Sequence, residues 1–264
     1  MLAWLRLTYE ALKKVPAESL APSSSACPLL GLCQALCASA WANDRKGIGM
    51  TLRGILFDND GTLVDTHDLI LSSMRHTTRV VLGHQLPDEQ LMAKVGIPLA
   101  DQMMDFASSI EQRDELLRVY REHNHAHHDA AITAFPAVLD GVRQLADAGF
   151  KMGVVTSKKA PLATRGLQIT GIWPYMDCLV GPDDCQKAKP EPDPILLGAD
   201  MLGLEPAECM YVGDSPFDIH AGNAAGCTTV AALWGMFPVD ELEAEKPDYS
   251  FESFEDFANW ALQL

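Results

Sequence analysis

The stretch Ile55-Leu56-Phe57-Asp58-Asn59-Asp60-Gly61-Thr62-Leu63-Val64-Asp65 decides how the rest of the chain is read. Three apolar residues, Ile55 to Phe57, mark a short buried strand that runs directly into two aspartates one residue apart. Side chains alternate along a strand, so Asp58 and Asp60 face one side and Asn59 the other. Gly61 supplies backbone freedom for a turn, and Thr62 a local hydrogen bond. Two carboxylates this close repel, and ionising both is costly unless a cation lies between them or one keeps its proton. A divalent metal at one and a proton at the other resolves the conflict. The stretch therefore reads as a reaction centre at a strand end rather than an acidic turn.

A chain of 264 residues holds one large domain with an insert, or two modest ones. Its 48% hydrophobic content fits a globular protein with a substantial core. The net charge of −16 argues against nucleic-acid binding through a broad basic surface. No apolar run reaches the length of a membrane span, so no membrane partner is expected. Seven cysteines, an odd number with no Cys-x-x-Cys pair, suit a reducing compartment better than a disulfide framework, and a cytoplasmic location is expected. Cys178, Cys185, Cys209 and Cys227 lie in or beside apolar runs, where a free thiol acts as a small hydrophobe.

Residues 1–49 differ from the rest of the chain: five basic and three acidic residues leave −18 for residues 50–264. Residues 2–15 have the pattern of a short amphipathic helix, and residues 16–26 are rich in Pro, Ser and Ala. Residues 28–38 resemble a short signal-peptide core, with Ala38-Ser39-Ala40 as a cleavage candidate, but too many residues precede the apolar run for a good match. The simpler expectation is a poorly packed extension, with Met50 as the functional start, three residues before the first core strand.

From His67 to about Ala131 the pattern is helical throughout, with Leu69, Ile70, Met74, Thr77, Val80 and Val81 at helical spacing. Gly83 can end the first helix, and Pro87 opens a second segment. Residues 98–108 and 110–129 read as two more helices. Within the last, His123 and His127 share a face at a spacing compatible with metal ligation, together with His125 and His128. With no cysteine near and no third ligand, a solvated helix face is the expected reading. After Pro136 short apolar strands alternate with helices: strands at 151–155, 178–180, 209–212 and 228–231, helices at 137–148, 161–169, 194–202, 217–225 and 254–262. This rhythm predicts an α/β, Rossmann-like parallel sheet with its ligand at the carboxyl ends of the strands. The expected organisation is an extension over 1–49, an α/β core over 50–66 and 133–264, and a helical cap over 67–132, inserted after the first strand.

Three further stretches sit at or near those strand ends. Thr156-Ser157-Lys158-Lys159 offers hydroxyls and helix-start N–H groups suited to phosphoryl oxygens, although Thr-Ser at a strand end is commonly an N-cap. Ala188-Lys189-Pro190-Glu191-Pro192-Asp193-Pro194 pins a lysine in a proline-rich turn. Tyr211-Val212-Gly213-Asp214-Ser215-Pro216-Phe217-Asp218 delivers acidic residues from a buried strand to a turn.

In this order the four stretches resemble the four motifs of the haloacid dehalogenase superfamily, and the helical insert resembles the small cap of its phosphoglycolate phosphatase-like branch. The resemblance implies a Mg2+-dependent phosphatase in which Asp58 is the nucleophile and a metal ligand. It makes Asp60 the general acid and base, with its backbone carbonyl on the metal. Asp214 completes the metal site, Thr156, Ser157 and Lys189 bind the phosphoryl group, and Asp218 supports the metal site from behind. Asn59 departs from the apolar residue usual between the two aspartates. Asp60 speaks against a hydrolytic dehalogenase, which lacks the second aspartate. Phosphoglycolate is the default substrate. Inorganic pyrophosphate is the alternative, since Thr156-Ser157-Lys158 and Asp183-Asp184 resemble the small pyrophosphatases of the branch, and Lys158 and Lys159 could meet a second phosphate. A sugar phosphatase or phosphomutase is the remaining reading. The composition break predicts that residues 50–264 alone fold and retain activity. Expression of that segment tests it: insolubility, or loss of most activity relative to the full chain, would make the extension part of the core or cap.

Overall fold

The computed structural model describes residues 51–264, so the helix and signal-like readings for residues 1–49 lie outside the described residues. The apolar triplet becomes the strand β1 (Gly54–Phe57), in which Ile55, Leu56 and Phe57 are wholly buried. Burying each such side chain contributes about 1.5–3 kcal/mol. Parallel partners flank β1 on both sides: β4 (Lys151–Val155) and β6 (Cys209–Gly213), with Phe57 opposite Val154 and Val212. Beyond them lie β5 (Cys178–Val180), β7 (Thr228–Ala232) and β8 (Tyr249–Phe251), giving the six-stranded parallel order β5-β4-β1-β6-β7-β8.

Strand alternation divides the core into two layers. Ile55, Phe57, Met152, Val154, Met210 and Val212 join one cluster, covered by α5 (Val138–Asp147) and α10 (Phe254–Ala261). Leu56, Val155, Cys209 and Tyr211 join the other, covered by α7 (Asp193–Leu202) and α8 (Pro216–Ala225). The remaining core helices are α6 (Ala160–Ile169) and the short α9 (Val239–Ala244). Neither α9 nor β8 was expected from the sequence.

The helical insert follows β1 as expected and comprises α1 (His67–Leu82), α2 (Asp88–Met92), α3 (Leu99–Phe106) and α4 (Ile110–Ala131). Gly83 ends α1 in the left-handed conformation, at φ 79°, where a glycine carries no steric penalty. Helix α1 packs along α4, and Ile70, Met74, Leu91, Met103 and Leu116 form a separate apolar cluster. An unanticipated antiparallel ribbon, β2 (Val64–Asp65) with β3 (Thr133–Ala134), sits where the chain leaves and re-enters the core. The histidines depart from a uniformly solvated face. His125 and His127 are exposed, but His128 is buried, and the His123 ring stacks between His76 and His127 at 4.5 and 4.3 Å. The four described cysteines are free, with Cys178, Cys209 and Cys227 buried.

Contact between α5 and α10 is closest at Gly141, where an added Cβ would lie 2.5 Å from Phe254 Cε1. That ring is itself held among Phe57, Trp234 and Phe257 and has nowhere to retreat. Gly141→Ala adds about 1 kcal/mol of helix propensity, against roughly 1–3 kcal/mol of overpacking. A net loss of about 1 kcal/mol is expected, read as a lower urea midpoint at unchanged slope. A higher midpoint would show that propensity outweighs packing here.

Candidate active site

Three sequence stretches reach the same end of the sheet because each follows a central strand directly. Asp58 follows β1, Thr156 follows β4 and Asp214 follows β6. The Asp58 amide donates to Val212 O at 2.9 Å and the Thr156 amide to Val180 O at 2.9 Å, which extends the sheet ladder into the site. After Asp58 the chain turns tightly: the Leu63 and Val64 amides donate to Asn59 O, and the Gly61 amide to Val64 O. Gly61 is required twice over. It holds φ 87°, and a Cβ there would lie 2.1 Å from Asp214 Oδ2.

The carboxylates of Asp58, Asp214 and Asp218 have oxygens within 4.8 Å of one another, and all three are buried. Lys189, 3% exposed, reaches between them with Nζ 2.9 Å from Asp58 Oδ1 and 2.6 Å from Asp218 Oδ1. It follows Ala188 and precedes a cis peptide bond to Pro190. Asp218 is further fixed by the Tyr211 hydroxyl at 2.9 Å and the Ser215 hydroxyl at 2.5 Å. Asp214 accepts from the Thr62 hydroxyl at 2.9 Å and the Met236 amide at 2.8 Å. Gly235 permits this approach, since a Cβ there would lie 2.1 Å from Asp214 Cβ.

The electrostatics follow from that crowding. Burial raises the Asp58 carboxyl to about 7, with Lys189 opposing and Asp218 and Asp60 adding to the rise. Burial, then Asp218 and Asp58, push Asp214 well above the carboxylate range. Burial alone would lower Lys189, but the Asp218 and Asp58 charges raise it above the ordinary lysine value. Three buried carboxyl groups against one ammonium therefore retain protons, which a bound cation would replace. A divalent cation fits this donor set, with hard oxygens and side-chain-free glycines beside Asp214.

Asp60 is held differently. Its Oδ1 lies 2.7 Å from Lys158 Nζ, in a pair 16% and 11% exposed. Burial raises its pKa, but Lys158, with hydrogen bonds from Thr66 and Asn59, brings it below the ordinary aspartate value. Its carboxylate is not among the three clustered ones, and the sequence reading placed it on a metal only through its backbone carbonyl. Lys158 itself is not a solvent-facing helix lysine: it precedes α6 and turns inward. Thr156 Oγ1 accepts from the Lys158 amide at 3.1 Å, a local turn-like bond. Ser157, expected on the phosphoryl group, donates its hydroxyl to Gly96 O in the insert at 2.5 Å.

A cavity of about 740 Å³ opens over Asp58, Asp60, Thr156 and Asp214. Its far wall comes from the insert, including Ile70, Gln102, Tyr120, Arg121 and Asn124, none assigned a site role from the sequence. Only the helical period of α4, which places Tyr120, Arg121, Asn124 and His125 near one another, hinted at a shared face. The contacts of Thr62 and Met236 with Asp214 were likewise not foreseen, and Lys158, read as able to meet a second phosphate, pairs with Asp60 instead, since these contacts are long-range.

Known proteins match this arrangement. The haloacid dehalogenase-like hydrolase profile matches residues 55–232, which carry all four motifs. Pyrophosphatase PpaX of Anoxybacillus flavithermus is 38% identical over 207 residues, covering 78% of this chain and 95% of its own. Pyrophosphatase PpaX of Bacillus pumilus is 35% identical over 206 residues, covering 78% and 94%. Among solved structures, a predicted phosphoglycolate phosphatase from Haemophilus somnus superposes with a TM-score of 0.72 at 25% identity, over 81% of this chain and 99% of that one. With an aspartate at the end of its first strand, its inserted helices and its full set of motif residues, this chain belongs to the haloacid dehalogenase-like hydrolase family.

Proposed function

We propose that the protein is a divalent-cation-dependent phosphohydrolase that takes a phosphoryl group onto Asp58 and passes it to water. The observation that carries this reading is the buried Asp58 carboxylate, aimed into the cavity beside Asp60 and held by Lys189. One Asp58 oxygen attacks phosphorus, and the bond from phosphorus to the leaving oxygen breaks. Asp60 gives its proton to that leaving oxygen. It then takes a proton from the water that attacks the aspartyl-phosphate, which frees Asp58 and orthophosphate. Because Lys158 holds Asp60 as a carboxylate, the acid step requires that lysine to turn to substrate oxygens and Asp60 first to take up a proton from solvent water. Lys189 and the Thr156 hydroxyl would hold the phosphoryl oxygens. Asp58 and Asp214, with the Asp60 backbone carbonyl, would hold Mg2+, whose charge would offset that of the phosphoryl oxygens. The insert over 67–132 acts as a cap that excludes bulk water.

The proposed substrate is a small phosphate compound with a second anionic group. Phosphoglycolate suits the branch and the Haemophilus somnus structure. Pyrophosphate is supported by the basic lining at Lys158, Lys159 and Arg165 and by the relatives that carry that activity in their names. A phosphate-release screen of the purified protein over phosphoglycolate, pyrophosphate and sugar phosphates tests both. Release from none of them would overturn the reading.

A cation must displace the protons that burial holds on Asp58, up to about pH 7, and on Asp214, so cation binding weakens as pH falls. Saturating Mg2+ should raise Tm more at pH 8 than at pH 6, and Asp214→Asn should abolish most of the gain. An equal gain at both pH values would remove Asp58 from the cation site.

Asp58→Asn and Asp60→Asn are expected to fail differently. Asp58→Asn should give no phosphoenzyme from any substrate. Asp60→Asn should lose about 10²–10⁴-fold with poor leaving groups, yet retain a rapid-quench burst with p-nitrophenyl phosphate, whose leaving group needs no proton. A normal burst from Asp58→Asn would overturn the nucleophile. Equal loss by Asp60→Asn for good and poor leaving groups in the first step would remove the acid.

A further inference from the structure

The cavity is lined by four cationic side chains of lysine or arginine: Lys158, Lys159, Arg165 and Arg121. Three are already matched to carboxylates. Lys158 pairs with Asp60 at 2.7 Å, Lys159 with Asp183, and Arg165 with Asp129. Arg121 makes no hydrogen bond or ion pair with any described residue. The acidic side chains nearest it in the fold are engaged elsewhere. Asp114 and Glu122 share a smaller hollow of about 350 Å³ with Arg121, but Asp114 is held by Arg113 and Glu122 by Arg118. An uncommitted guanidinium thus stands on the cavity wall of a chain whose net charge is −16.

Its placement is set by α4. Tyr120 and Asn124 on the same helix are buried and line the cavity, and the Tyr120 hydroxyl accepts from Asn124 Nδ2 at 3.4 Å. Tyr120 lies within the electrostatic reach of Asp60, so this part of α4 faces the reaction centre. His125, one turn beyond Arg121, lines the same wall. An arginine fork matches two oxygens of a phosphate or carboxylate at once, a geometry that a lysine does not reproduce.

We propose that Arg121 reads the anionic group of the substrate that is not transferred, the distal phosphate of a pyrophosphate or the carboxylate of a phosphoglycolate. The proposal rests on the phosphohydrolase reading and assigns Arg121 as a specificity-determining residue. Lys158, Lys159 and Arg165 must each give up a carboxylate to serve in that role. Arg121 has no ion pair among the described residues to give up.

The test compares the full chain with Arg121→Ala and Arg121→Lys on pyrophosphate, on phosphoglycolate, and on phenyl phosphate, which has no second anion. Arg121→Ala should raise KM for the true dianionic substrate by roughly 10- to 100-fold, the loss of a charge-assisted contact. Phenyl phosphate turnover should stay within about twofold. Arg121→Lys should recover part of the loss, because it keeps the charge without the fork. Whichever of the two dianionic substrates suffers identifies the source of the distal group. An equal loss on phenyl phosphate would mark a structural role and overturn the proposal, as would an unchanged KM on both dianionic substrates. A second measurement needs no turnover: pyrophosphate and phosphoglycolate are each titrated into Asp58→Asn with and without Arg121→Ala. Weaker binding of either after the second change supports the proposal. Equal affinity for both, or no binding of either to Asp58→Asn, overturns it. If the unmodified chain hydrolyses none of the three compounds, the phosphohydrolase reading falls, and the binding comparison still decides Arg121.

Discussion

Burying like charges together is the constraint on which the site depends. Asp58, Asp214 and Asp218 converge at the strand ends with Lys189 as the one ammonium between them. Taking such groups out of water costs several kcal/mol per ion unless each finds partners. The surroundings are shaped to supply them. Tyr211 and Ser215 satisfy Asp218, and Thr62 and the Met236 amide satisfy Asp214. Even the Trp234 indole N–H contributes, by fixing the Thr62 carbonyl at 3.0 Å and with it the turn that carries the hydroxyl. Positions 61 and 235 hold glycine because a side chain at either would strike the Asp214 carboxylate or its Cβ.

Those same contacts explain which features could be read from the sequence. The apolar triplet before Asp58 and the strand-helix rhythm after Pro136 are local patterns of period 2 and 3.6, and they located β1, β4, β5, β6 and β7. Gly83 announced the end of α1 through its backbone freedom. Helix α9 and strand β8 were missed because they are short, and β8 is only partly buried, so neither carries enough periods to stand out. The β2–β3 ribbon is two residues a side and leaves almost no trace in the pattern.

The site divides in the same way. Asp58, Thr156 and Asp214 were legible because strand ends position them, whatever the rest of the fold does. The Asp60–Lys158 pair joins residues 98 apart in the chain, and nothing near either residue reports the other. At Ser157 the fold adds a partner that the sequence does not report. Its hydroxyl looked free for a phosphoryl oxygen, whereas the fold brings Gly96 close enough to accept from it. His128 looked solvated but is buried, with its ring beside Gly166.

The β2–β3 ribbon has a consequence for how the chain closes on itself. Val64 pairs with Ala134 and Asp65 with Thr133, so the sheet sees everything between them as a single long loop with adjacent ends. Closing a flexible loop costs entropy that grows with the logarithm of its length, and a disordered segment of this size would levy that cost on the core. The segment instead has its own apolar cluster, and the packing of α1 along α4 holds its two ends side by side. The ribbon thus fixes where the insert leaves and rejoins the core. A different helical segment with the same end separation could be spliced in at the ribbon, provided that it restored the contacts that Gly96 and Asp129 make with Ser157 and Arg165 of the core.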